Sequence, residues 1–155
     1  LNIFVLDYDL CNSAIYHCQK HIVKMPLESA QMLCTILNNN NIESPYKSCH
    51  RNHPCTLWAG KTIQNFAWLC EFGLYLCYEY TYRFNKVHKC EEVINYAGKM
   101  VEKLRLPDLG LTPHAQAMPD NYKSSDAVTA YRNYYAGDKT HLFDWGPREV
   151  PDWLR

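Results

Sequence analysis

Between residues 12 and 37 the chain carries more apolar positions than one helix face can hold. Ile15, Cys18, Ile22, Val23, Met25, Leu27, Ala30, Met32, Leu33, Cys34 and Ile36 wrap most of the circumference. His17, His21, Lys24, Glu28, Gln31 and Thr35 fall on one thin polar line at helical period. This pattern predicts a long helix, capped by Asn12 or Ser13 and running to about Leu37. Pro26 removes one backbone hydrogen bond inside it and predicts a kink between Lys24 and Glu28. Ahead of this segment, "NIFVL" is an apolar run that suits a strand or a buried N-terminal arm.

Periodicity stops over residues 38–53, a stretch of turn formers whose length predicts a functional or mobile loop. Pro54 then fits the first position of a second long helix to about Phe84, with Asn52 or His53 before it. Its stripe of Gln64, Trp68, Glu71, Tyr75, Tyr78 and Tyr82 suits either a core face or a pocket wall. A third helix is predicted over 90–104, with Ile94, Ala97, Val101 and Leu104 on one side. A proline-bearing loop over 104–125 leads to a short fourth helix capped by Ser125 or Asp126, and the aromatic tail is irregular. The expectation is one mainly α domain over residues 1–155, with two long helices, two shorter ones and long irregular loops.

Composition narrows the setting. Apolar residues at 47% against 21% charged read as globular, and no apolar run is long enough to span a bilayer. The opening "LNIFVLDYD" reaches acidic residues too early for a signal peptide. Most of the 8 cysteines sit at apolar helix positions without a CxxC pair, which predicts free thiols and a reducing, intracellular compartment. Lys plus Arg and Asp plus Glu are 16 each. A protein gripping duplex DNA usually carries a basic excess, so a small nucleotide fits this balance better than long duplex. The 12 tyrosines and 4 tryptophans could supply stacking surfaces instead.

The polar line suggests chemistry. Two histidines one turn apart, a lysine and a glutamate form a general acid–base set if the line faces a cavity. The same line also suits the solvated edge of a partly buried helix, with Lys24 simply paired to Glu28 at i, i+4. His17, His21 and Glu28 could also hold a metal. However, the residue after the first histidine is Cys18, not the glutamate of the zinc-protease motif, and "CHRNHPC" has no familiar zinc spacing. No metal or cofactor is expected.

The phrases "YHCQKHIVKMPLESAQML", "HPCTLWA", "NFAWL", "YTYRFNKVHK", "QAMPDNYK" and "AYRNYYAGDK" together resemble a widespread bacteriophage and marine-virus family with no established activity. The resemblance covers nearly the whole chain and implies a viral source and the cytoplasm of an infected host cell. The chain is also similar in layout to the helical phage pyrimidine-dimer DNA glycosylases of the endonuclease V type. Those have a short N-terminal arm whose terminal amine attacks the sugar C1′, then a helix carrying His, six residues, Glu, Leu, Pro. Here the matching phrase is His17, six residues, Lys24, Met25, Pro26. His53 followed by Leu57, Trp58 and Lys61 resembles the histidine that opens that family's aromatic helix. Tyr131, Arg132, Asn133, Tyr134 and Tyr135 resemble its closing aromatic segment. The chain departs from the family where Lys24 replaces the catalytic glutamate, with Glu28 one turn further on. It also begins Leu1-Asn2, not with a threonine exposed by methionine removal, and it lacks the family's basic excess.

The resemblance implies an endonuclease V-like fold and an enzyme acting on a nucleobase–sugar bond in DNA or a nucleotide, an N-glycosylase with or without lyase activity. The amine would be Lys24 or the N-terminus, assisted by Glu28, with His17 and His21 completing the catalytic set. Substrate contacts are expected from His53, Arg51, Trp68, Glu71, Gln116, Lys123, Tyr131 and Arg132, several of them on loops closing over the pocket. The alternatives are a non-catalytic nucleotide- or nucleic-acid-binding viral accessory protein and a metal-dependent hydrolase using His17, His21 and Glu28. No membrane partner is expected.

Overall fold

A computed structural model describes all 155 residues as helices joined by loops, with no strand. The helices are α1 (Leu10–Ile15), α2 (Gln19–Asn39), α3 (Pro54–Ala59), α4 (Ile63–Phe84), α5 (Glu91–Lys99) and α6 (Ala127–Asp138). Short 3-10 turns follow α5 and punctuate the later loops. None of the helices is long and apolar enough to cross a membrane.

Both expected long helices are interrupted. The first breaks at 16–18, where Cys18 is extended (φ −66°, ψ 162°) and α2 begins anew. The cause is distant in sequence. Arg83 on α4 donates to the carbonyls of Ile15 and His17 at 2.8 Å each, satisfying the end of α1 in place of a continuing helix. Asp144 O likewise accepts the Gln19 N–H at 2.7 Å. The second interruption follows Gly60, and Thr62 restarts the chain by accepting the Asn65 N–H at 3.0 Å. His53 and Pro54 open α3 as expected, with His53 Nδ1 accepting from Cys55 N. Asp126 caps α6 through Thr129 N, and Asn85 closes α4 in the left-handed region at φ 55°. The third helix ends at Lys99 and tightens into a 3-10 turn over Met100–Lys103. Pro26 lies inside α2, which continues on both sides of it.

One apolar core unites these elements, with Ile22, Met32, Leu33, Phe66, Leu69, Phe72, Leu76 and Ile94 fully buried where α2, α4 and α5 meet. Gly73 permits that approach, since a Cβ there would lie 3.0 Å from Ile94 Cδ1. The run "NIFVL" is a buried arm. Side chains satisfy its backbone instead of a neighbouring strand: Leu6 N donates to Ser13 Oγ, and Leu6 O accepts from Arg132 Nε at 2.8 Å.

All eight thiols are free, and only Cys11 is exposed. Burial raises Cys55 to about 11 and Cys70 and Cys77 to about 12, so they stay protonated and inert in the fold. A disulfide-exchange reagent should therefore titrate Cys11 first in the native protein. All eight should react after denaturation without reductant, and a persistent shortfall would mean bridges.

Candidate active site

Asn2 anchors the N-terminal arm. Its Nδ2 donates to Ala117 O at 2.9 Å. Its Oδ1 accepts from Ile3 N at 2.8 Å, Tyr131 Oη at 2.8 Å and the Cys55 thiol at 3.6 Å. Loop 113–118, α3 and α6 are thereby tied to one side chain. With Asn2 held, its backbone N–H donates to Glu28 Oε1 at 2.7 Å, and the Leu1 amine lies 3.5 Å from the same oxygen. The second oxygen, Oε2, is 3.4 Å from Lys24 Nζ. Glu28 is thus a buried carboxylate (8% side-chain exposure) holding two amines.

These groups border a cavity of about 160 Å³ lined by Leu1, Asn2, Phe4, His21, Lys24, Met25, Glu28, Tyr134 and Lys139. Phe4 stacks on His21 at 4.4 Å between ring centroids. Tyr135 Oη is 2.5 Å from His21 Nδ1. With the phenol as donor, Nε2 carries the imidazole proton. Burial, with the positive charges of Lys139, Lys24 and His141, lowers His21 to about 4, so it is neutral near pH 7. His53 lies near enough to feel both Leu1 and Glu28: burial, then the Leu1 amine and His50, lowers it, while Glu28 opposes.

The polar line of α2 therefore divides. His21, Lys24 and Glu28 reach the cavity, whereas Thr35 accepts the Cys49 N–H and holds the following loop. His17 leaves the line because the chain breaks there. It is fully buried, with Nδ1 2.6 Å from Ser13 O and Nε2 without a partner. The Lys24 side chain is 67% exposed, whereas the Leu1 side chain packs inside at 2%.

The expected substrate contacts are mostly elsewhere. Trp68 lines a separate cavity with Tyr8 and His114 and meets Trp58 edge-on. Glu71 is exposed. Arg51 borders a groove beside Asn39, Asn40 and Thr56. Gln116 closes its own loop by bonding Ser124, and exposed Lys123 pairs with Asp120 at 2.9 Å. Tyr131 is buried behind the arm, and Arg132 holds the arm through Leu6 O and Asp7. The two long loops therefore support the arm and helices and do not line this cavity. Asn2, Phe4 and Lys139 also line the cavity, with little in the sequence to mark them. A turn-forming amide beside an apolar run was the one local hint for Asn2.

No group of three or more His, Cys, Asp or Glu side chains is placed to hold a metal ion. Comparison with protein-family models, curated proteins and solved structures finds no match.

The buried histidines set an acid limit on stability. His17 is lowered to about 3, chiefly by burial and then by His21, and His114 to about 4 by burial. The unfolded chain binds these protons near pH 6.5, so it holds more protons than the fold between that pH and about 3. Stability should then fall as pH drops below about 6.5. Denaturant midpoints should decline steadily from pH 7 to 4, and a His17→Gln variant should show a shallower decline. A flat profile would contradict the neutral, buried assignment.

Proposed function

We propose that this protein is an amine-dependent enzyme acting on a nucleobase–sugar bond, an N-glycosylase of endonuclease V-like layout with a Schiff-base intermediate. One observation carries the reading: a buried carboxylate, Glu28, holds the Leu1 amine and Lys24 on its two oxygens beside a small cavity. Positioned amines need such an acid–base partner to attack a sugar carbon. The layout of a short arm reaching a carboxylate on the first long helix supports the same reading. Either amine, Lys24 or the N-terminus, is a candidate nucleophile across the shared carboxylate.

The step balances on the amine's own hydrogens. The attacking ammonium gives up a proton to Glu28, and the lone pair so freed bonds to C1′. The C1′–N bond breaks with its electron pair leaving on the base, which takes that proton. The C1′–O4′ bond then opens, a second amine hydrogen passes to O4′, and a protonated imine remains. Water adds to the imine carbon and releases an aldehydic sugar and the amine. Neutral His21 offers an N–H to the sugar or base during these transfers.

Borohydride tests the reading directly, since hydride reduces the imine to a stable amine. Incubation with damaged DNA, abasic DNA and nucleosides should give a covalent adduct with at least one substrate. If none forms with any of them, the binding-protein reading takes its place.

A further inference from the structure

Glu28 is the only carboxylate lining the cavity, and it is already engaged by Leu1, Asn2 and Lys24. Lys139 lines the same cavity from the end of α6 and has no acidic partner within ion-pair distance. The residue is half-buried, and its ammonium lies 4.7 Å from the Tyr134 ring centroid and 5.9 Å from that of Phe4. Aromatic faces hold a cation in place but do not neutralise it. The free carbonyls at the C-terminal end of α6 also favour a cation at this position, again without full neutralisation. The charge is felt inside the cavity, where Lys139 exceeds Lys24 in its effect on His21. A cation in a cavity without a counterion gains when an anion joins it. In a chain of zero net charge, this is a local cationic excess at one small opening.

We propose that Lys139 and Lys24 form a phosphate-binding subsite on the cavity beside Glu28, and that the substrate is a sugar phosphate. The inference rests on this cavity being the reactive site. Its volume of about 160 Å³ corresponds to on the order of five waters, the scale of one sugar ring and not of stacked bases. The phosphate belongs to a monoester on a free sugar or nucleotide, or to a diester beside the sugar in a DNA strand. Lys139 binds it as a point charge steadied by Tyr134, while Lys24, mostly exposed, swings from Glu28 to the opposite oxygens.

Calorimetric titration with 2-deoxyribose, 2-deoxyribose 5-phosphate and an oligonucleotide carrying an abasic sugar tests this. At least one phosphorylated probe should bind more tightly than deoxyribose. Lys139→Met should weaken that binding by about tenfold to a hundredfold while leaving deoxyribose unchanged, and Lys139→Arg should retain it. Preference for the monoester assigns a free sugar phosphate, and preference for the oligonucleotide assigns a strand diester. Equal affinity for deoxyribose and both phosphorylated probes, no binding of any probe, or full binding by Lys139→Met would overturn the subsite. The same samples treated with borohydride separate the two readings. Phosphate-dependent binding without an adduct leaves the subsite and removes the glycosylase; an adduct indifferent to phosphate and to Lys139 does the reverse.

Discussion

Glu28→Gln should lower the rate of imine trapping by ~10²–10⁴-fold, the usual contribution of a positioned acid–base group. Glutamine keeps the volume and can still accept the Asn2 N–H at Oε1, so the arm stays docked. What disappears is the charge that receives the amine proton and passes it on. Leu1 and Lys24 would also lose their shared counterion. Single-turnover trapping with saturating substrate separates this effect from binding. A variant with an unchanged rate would remove Glu28 from the chemistry and with it the present reading of the cavity.

The largest expected effect on stability lies elsewhere. Glu79 is buried and paired with Arg83 at 2.6 Å and Arg148 at 2.8 Å. Arg83 is sealed from solvent and also holds the carbonyls of Ile15 and His17 and the Gln19 side chain. Glu79→Gln leaves that guanidinium uncompensated in the interior. Breaking a buried pair from one side costs about 3–5 kcal/mol, a large share of the ~5–15 kcal/mol stability of an ordinary domain. Urea unfolding should show that loss, with the α1–α2 junction the first region to exchange its amides. A loss below ~1 kcal/mol would mean that solvent reaches Arg83 after all.

This network also explains where the sequence could not be read. Nothing local in "SAIYHCQK" ends a helix, because the terminator is Arg83, more than sixty residues away in sequence. His17 was consequently placed on a continuous polar line that the chain abandons there. The all-helical class, the α3 opening at His53-Pro54, the Asp126 cap and the free cysteines were legible because each depends on nearby residues. His21, Lys24 and Glu28 were legible as one line for the same reason, since all three lie on α2. Lys139 and Asn2 were not, since their importance comes only from packing α6 and the arm against that helix. Trp68 and Glu71 share a stripe on α4, and such a stripe says what shares a face, not which cavity that face meets.

The most direct measurement is to locate the trapped adduct. The protein would be incubated with substrate, reduced with borohydride, digested and analysed by mass spectrometry. The added sugar should lie on an amine held by Glu28, either Lys24 or the N-terminus. Which of the two carries the sugar assigns the nucleophile across the shared carboxylate. An adduct on a lysine outside the cavity, or no adduct at all, would contradict the central claim that Glu28 and its amines are the reactive centre.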